Sequence, residues 1–304
     1  MKIGFFSSFE ISLEFLRAQL GEEYCQQNEV LINPSGVIDI AFTFNYSKKF
    51  LAYLHRGPEY FLVMEPQVPG IWHTFVSRKS RKYRTVFSPQ NGLWSALPWH
   101  VGFNLAQLQE LSPPPKTRIL STIASTAGAL PGHLRRLEYI RDLQKFGANF
   151  DLFGRGREVE LVEKSDGLLP YMYSVAIENS NQAGYFTEKI FDPILCWTVP
   201  VYVGAPDIED YLPSAAYISL PPDDPERGAA MLSELSEESY KSRLPALAEA
   251  RALILEKYSM GAVIRGLTAE HESGRLRLKS TFGFNFFIHR VRDLAARIRG
   301  VWPC

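Results

Sequence analysis

The sequence predicts an α/β protein built from two Rossmann-like domains facing a central cleft. Three observations predict it. Short apolar runs alternate with helical or looped stretches over residues 1–112. The alternation stops at LSPPPKTRIL (residues 111–120), where consecutive prolines can continue neither a helix nor a central strand. The same rhythm then restarts. The expected divisions are residues 1–112, 117–275 and a last helix over 280–304. A chain of 304 residues is also longer than one apolar core usually serves.

Each element has its own signal. KIGFF (2–6), IDIAFTF (38–44), YFLVM (60–64) and TVFSP (85–89) read as strands, with a helical pattern in LEFLRAQL (13–20). Beyond the prolines, TRILSTIAS (117–125) reads as a strand. Leu134, Leu137, Ile140, Leu143 and Phe146 then make a helical stripe after Pro131-Gly132. FDLFG (150–154) and MYSVAIE (172–178) are strands, TEKIFDPILCW (187–197) a helix that Pro193 should kink, and VPVYVG (199–204) a strand closed by glycine. From Pro222 to about Glu272 the pattern is mainly helical.

Composition excludes several classes. Lys+Arg and Asp+Glu are both 33, so the chain lacks the basic surplus that general nucleic-acid binding requires. Cys25, Cys196 and Cys304 are odd in number and far apart, which argues against a disulfide framework or cysteine-held metal and for a reducing compartment. No run approaches 18 apolar residues. The expected location is cytoplasmic.

The densest chemistry lies in AIENSNQAGYFTEKIF (176–191). A strand ends at its start and a helix begins at its end, so the loop between lies on the ligand-binding edge of a parallel sheet. Thr187 suits the N-cap, and the free N–H groups behind it favour an anion. Lys189 in the first turn opposes the helix dipole unless something negative sits beside it; a pyrophosphate would serve. Glu188 can accept hydrogen bonds from sugar hydroxyls, and Asn179 and Tyr185 offer further polar contacts. An ordinary capped helix after an ordinary loop explains the same spacing.

The run resembles the donor-site signature of the α-1,3/1,4-fucosyltransferases, glycosyltransferase family 10. The resemblance rests on Ile177-Glu178-Asn179-Ser180, Tyr185-Phe186-Thr187-Glu188-Lys189, Val199-Pro200-Val201-Tyr202-Val203-Gly204 and APDIEDYLP (205–213). It implies a GT-B-like fold, with an acceptor-binding N-terminal domain and a C-terminal domain holding GDP-fucose as donor. It also implies inverting transfer to a glycan hydroxyl, in a bacterial-type surface-glycan setting. Asn179, Tyr185, Glu188 and Lys189 become donor-site residues. So does an Arg on the helix before Asp151-Leu152-Phe153-Gly154: Arg136, with Arg135 adjacent and the register open by one. A guanidinium fork suits a diphosphate. Another nucleotide sugar on the same fold, or a non-catalytic binding homologue, are the alternatives.

Glu65 follows an apolar strand in FLVMEPQVPG (61–70), where the resemblance places the base. A carboxylate there can take the proton of the acceptor hydroxyl. His73 and His100 are rivals without a spacing argument. No Asp-x-Asp triplet occurs, so no obligatory metal is expected; cations and a helix N-terminus can stabilise the leaving diphosphate. Ala216 stands where the family often has Ser. In the tail, Phe287, Val291, Leu294, Ile298 and Val301 share one helical face, and Arg290, Arg292, Arg297 and Arg299 lie largely off it. That helix either packs on the N-terminal domain or lies peripherally on an anionic membrane surface such as the inner membrane.

Overall fold

The computed structural model describes residues 1–7, 10–34, 36–44, 58–62, 85–87, 97–128 and 131–273. Glu65, His73 and the helix expected over 280–304 lie outside the described residues. In the first half the described elements are β1 (Lys2–Ser7), α1 (Leu13–Leu20), α2 (Glu22–Gln27), β2 (Glu29–Ile32), β3 (Ile40–Phe44), β4 (Glu59–Leu62), β5 (Thr85–Phe87) and α3 (Leu105–Glu110). The second half has β6 (Arg118–Ile123), α4 (Pro131–Lys145), β7 (Asp151–Phe153), β8 (Tyr171–Ile177), α5 (Glu188–Leu195), β9 (Val199–Val203) and β10 (Ile218–Ser219). Three helices follow: α6 (Pro225–Ser233), α7 (Glu237–Leu253) and α8 (Met260–Glu272), the last two joined by a π-turn at Ile254–Tyr258.

The strands form two parallel sheets, ordered β2-β1-β3-β4-β5 and β10-β9-β8-β6-β7. Counted from its own first strand, each sheet has the same 2-1-3-4-5 order. Such a sheet reverses its winding beside its first strand, and ligands collect at that crevice. In the second sheet the crevice opens between β6 and β8. β3, β8 and β9 are buried along their whole length, as parallel strands covered on both faces must be.

The stripe expected on α4 is rotated in the structure. Its buried residues are Arg136, Tyr139, Ile140 and Leu143, whereas Leu134 and Phe146 are exposed. Leu134 lies six residues, about 120° of helix, from Ile140, and so points away from the sheet. Around Pro193, α5 runs only to Leu195.

The two apolar cores are interleaved along the chain. Leu97, Trp99, Val101 and Leu108 pack with the second sheet, while Met260 and Ile264 of α8 pack with Leu16, Leu20 and Phe42 of the first. The crossing strands of chain touch at a bridge between Leu97 and Ser259. Gln19 and Trp99 exchange two buried hydrogen bonds, at 3.0 and 3.2 Å. The proline linker is tied down as well. Trp197 Nε1 donates to Leu111 O at 2.7 Å, and the buried Arg251 donates to the carbonyls of Leu108 and Leu195 while stacking on Trp197. Lys116 Nζ donates to Cys196 O and Thr198 Oγ1; burial pulls its pKa down to about 7.

Gly261 sits where α8 meets α1, and a Cβ there would lie 1.9 Å from the carbonyl oxygen of Gln19. Gly261→Ala is therefore expected to lower stability by about 1–3 kcal/mol, read from the midpoint of urea unfolding.

Candidate functional site

β8 delivers the chain to Glu178, which is 3% exposed. Glu178 keeps strand pairing through its own N–H, bonded to Val203 O at 2.8 Å. Its carboxylate reaches across the loop. One oxygen accepts the Thr187 N–H and the other the Thr187 hydroxyl, both at 2.7 Å. Thr187 is the N-cap of α5, and its Oγ1 accepts from the Lys189 N–H at 3.3 Å. The expected cap is present, with a buried carboxylate behind it.

That carboxylate accounts for Lys189. Its ammonium lies 3.4 Å from Glu178 and 3.6 Å from Glu188. The negative partner that a first-turn lysine needs is thus supplied by the protein, by a residue the motif reading left without a role. Burial disfavours the Lys189 charge, but Glu178 and then Glu188 outweigh it and raise the pKa. Burial likewise opposes ionisation of Glu188, yet Lys189, Lys164 and His100 hold its pKa at about 2. Glu178, deeper, has its pKa raised by burial against the pull of Lys189.

Arg136 comes from α4. It is buried, while Arg135 is exposed, and one guanidinium nitrogen donates to Asn179 Oδ1 at 3.2 Å. Its Nε is buried with no hydrogen-bond partner among the described residues. Close approach of the helix is set by Gly132, where a Cβ would lie 2.0 Å from Asn179 O. Arg136 and Lys189 line one cavity with Lys164, Asp192 and the ends of β6 and β8, from Thr122 to Ala124 and from Ser174 to Ile177. The cavity lies at the crevice that the strand order marks.

Of the residues singled out in the sequence, Arg136, Asn179, Glu188 and Lys189 are brought together here. Tyr185 is 2% exposed and packs in the second core, near enough to Arg136 to act on its charge. The His100 ring stacks on Phe15 of α1 at 5.9 Å, and its backbone N–H donates to Asp192. Sequence reasoning missed Glu178, Lys164 and Asp192. For Glu178 a signal existed: an acid at a strand's last position, nine residues before an N-cap threonine.

A family model described as glycosyltransferase family 10 (fucosyltransferase) C-term matches residues 113–242, which contain this whole cluster except His100. Residues 113–242, 130 of the 304 in the chain, thus resemble the C-terminal domain of the family 10 fucosyltransferases. A fucosyltransferase-like protein of Arabidopsis thaliana is 36% identical over 119 residues, 37% of this chain and 22% of its own length. A GDP-fucose protein O-fucosyltransferase 3 of Xenopus laevis is 48% identical over 44 residues, 14% of this chain and 9% of its own. The match thus spans under a quarter of either relative. The solved DNA-modifying enzyme β-glucosyltransferase is 11% identical, with a TM-score of 0.50, covering 88% of this chain and 99% of that one. The likeness extends the two-domain GT-B fold beyond the family 10 domain.

Two outcomes follow. Glu178→Gln removes one partner of a buried pair and is expected to cost about 3 kcal/mol, read by denaturant unfolding. Glu188 has a folded pKa below the ordinary 4.5, so its pairing contributes stability that is present above pH 4.5 and lost as pH falls toward about 2. The gap in melting temperature between the wild type and Glu188→Gln should therefore narrow as pH falls below 4.5.

Proposed function

We propose that this chain transfers L-fucose from GDP-fucose to an acceptor hydroxyl with inversion at the anomeric carbon. The observation that carries the reading is the pairing of Arg136 and Lys189 on one cavity, beside Glu188, within a family 10 domain at the sheet's switch point. GDP as the nucleotide rests on the likeness to GDP-fucose protein O-fucosyltransferase 3.

In this reading Arg136 and Lys189 take the β-phosphate oxygens, where charge grows as the sugar–phosphate bond breaks. Asn179 holds the Arg136 fork in place. Glu188, ionised, accepts hydrogen bonds from donor hydroxyls, and Tyr185 supports the loop from behind. The acceptor hydroxyl attacks from the opposite face of the sugar, and Glu65 takes its proton. No metal is required, since the cations do the electrostatic work. The acceptor is a glycan hydroxyl of the surface-glycan kind, and a protein hydroxyl is the competing acceptor that the O-fucosyltransferase relatives bring forward.

The test begins with a thermal-shift panel of GDP, UDP and dTDP sugars. Stabilisation by GDP-fucose supports the donor, and stabilisation only by UDP sugars overturns it. An array of glycans and peptides with labelled GDP-fucose then identifies the acceptor. Glu65→Gln is expected to lose at least about 100-fold in transfer while keeping its affinity for GDP; a full transfer rate would remove Glu65 from the mechanism.

A further inference from the structure

Lys164 belongs to no part of the sequence motif. It opens a short 3-10 turn, Lys164–Gly167, between β7 and β8. Its ammonium lies 2.8 Å from Asp192 Oδ2 and 3.8 Å from Glu188 Oε1. Asp192 and Glu188 are four residues apart on α5, one turn, so a single lysine spans both. Asp192 is 2% exposed and both its oxygens are engaged, the second by the His100 N–H at 2.9 Å. A carboxylate so buried, with each oxygen already holding a protein donor, is poorly placed to take a ligand. What it can do is fix a cation.

The need for that cation follows from Lys189. Its ammonium is shared between Glu178 and Glu188, and it lines the cavity where the diphosphate is placed above. A diphosphate arriving there draws Lys189 toward itself and brings negative charge close to Glu188. Both changes favour protonation of Glu188. A protonated carboxyl gives up half its capacity to accept hydroxyl hydrogen bonds. We propose that Lys164, anchored by Asp192, is a positioning residue that keeps Glu188 ionised and aimed at the donor when Lys189 turns to the phosphates. The proposal rests on the donor-site reading of Glu188 given above.

The charged groups facing Glu188 are Lys189 and Asp192 on its own helix, Lys164 from the 3-10 turn, Glu178 from the end of β8, Arg136 from α4 and His100 from the crossing segment. Lys189 is held to the buried Glu178 at 3.4 Å and Lys164 to the buried Asp192 at 2.8 Å, so of the two Lys164 has the closer anchor.

The experiment measures GDP-fucose binding by calorimetry from pH 3 to pH 7 for the wild type, Lys164→Met, Lys164→Arg and Glu188→Gln. Lys164→Met is expected to bind about tenfold more weakly at pH 3, with the acid limb of affinity moved up by about two pH units. Lys164→Arg is expected to keep both. A purely structural lysine would lower the melting temperature and leave the limb in place. Wild-type affinity and an unmoved limb in Lys164→Met overturn the proposal. If that variant does not fold, Lys164→Gln, which keeps a polar group against Asp192 without the charge, is read by the same criteria. Wild-type affinity in Glu188→Gln would instead overturn the donor-site reading itself. Loss in Glu188→Gln with no loss in Lys164→Met or Lys164→Gln would remove Lys164 alone.

Discussion

The site depends on one buried carboxylate. Glu178 has left water, and the cost of that is offset only if every acceptor position is filled. Thr187 fills two, through its N–H and its hydroxyl, and Lys189 supplies the opposite charge. These bonds close the loop from the end of β8 to the start of α5 and fix where the helix begins. Once the helix start is fixed, Glu188, Lys189 and Asp192 have set positions on it. Asn179, next to Glu178, then meets Arg136 where Gly132 lets α4 come close.

Charge in the cluster is balanced within the protein itself. Arg136, Lys164 and Lys189 face Glu178, Glu188 and Asp192. The balance lets three cations sit together without unfolding the region, since like charges at these distances repel strongly when partly buried. It also makes binding an exchange of partners. In the proposed reaction a diphosphate competes with protein carboxylates for the same ammonium and guanidinium groups, so its affinity depends on how firmly each carboxylate is held elsewhere.

Much of this was legible in the sequence, for identifiable reasons. Strands such as residues 171–177 and 199–203 are continuous apolar runs, and parallel sheets demand such runs. The Thr187 cap follows from local chemistry alone. The choice between Arg135 and Arg136 did not, because it turns on helix rotation: the apolar stripe that seemed to define the face of α4 included Leu134, which is exposed. Lys164 and Asp192 were invisible for another reason. Their meaning is a contact between a turn and a helix 28 residues apart, with no period linking them. The crossing segments were equally hidden, since an apolar stripe such as that of α8 does not say which core it enters. Glu65 lies outside the described residues, and its role rests on sequence context.

The interleaved cores bear on how such a protein could be recombined. A chimera that exchanged N-terminal halves at the prolines would separate Trp99 and Leu108 from the sheet they pack against, and would strand Met260 and Ile264 beside a foreign partner. The natural seams lie before Leu97 and at Ser259, where the chain passes from one core to the other. The first core is therefore inherited in two pieces of sequence, an N-terminal block and the helix that returns to it. Change in one constrains change in the other across more than 200 residues of chain between α1 and α8.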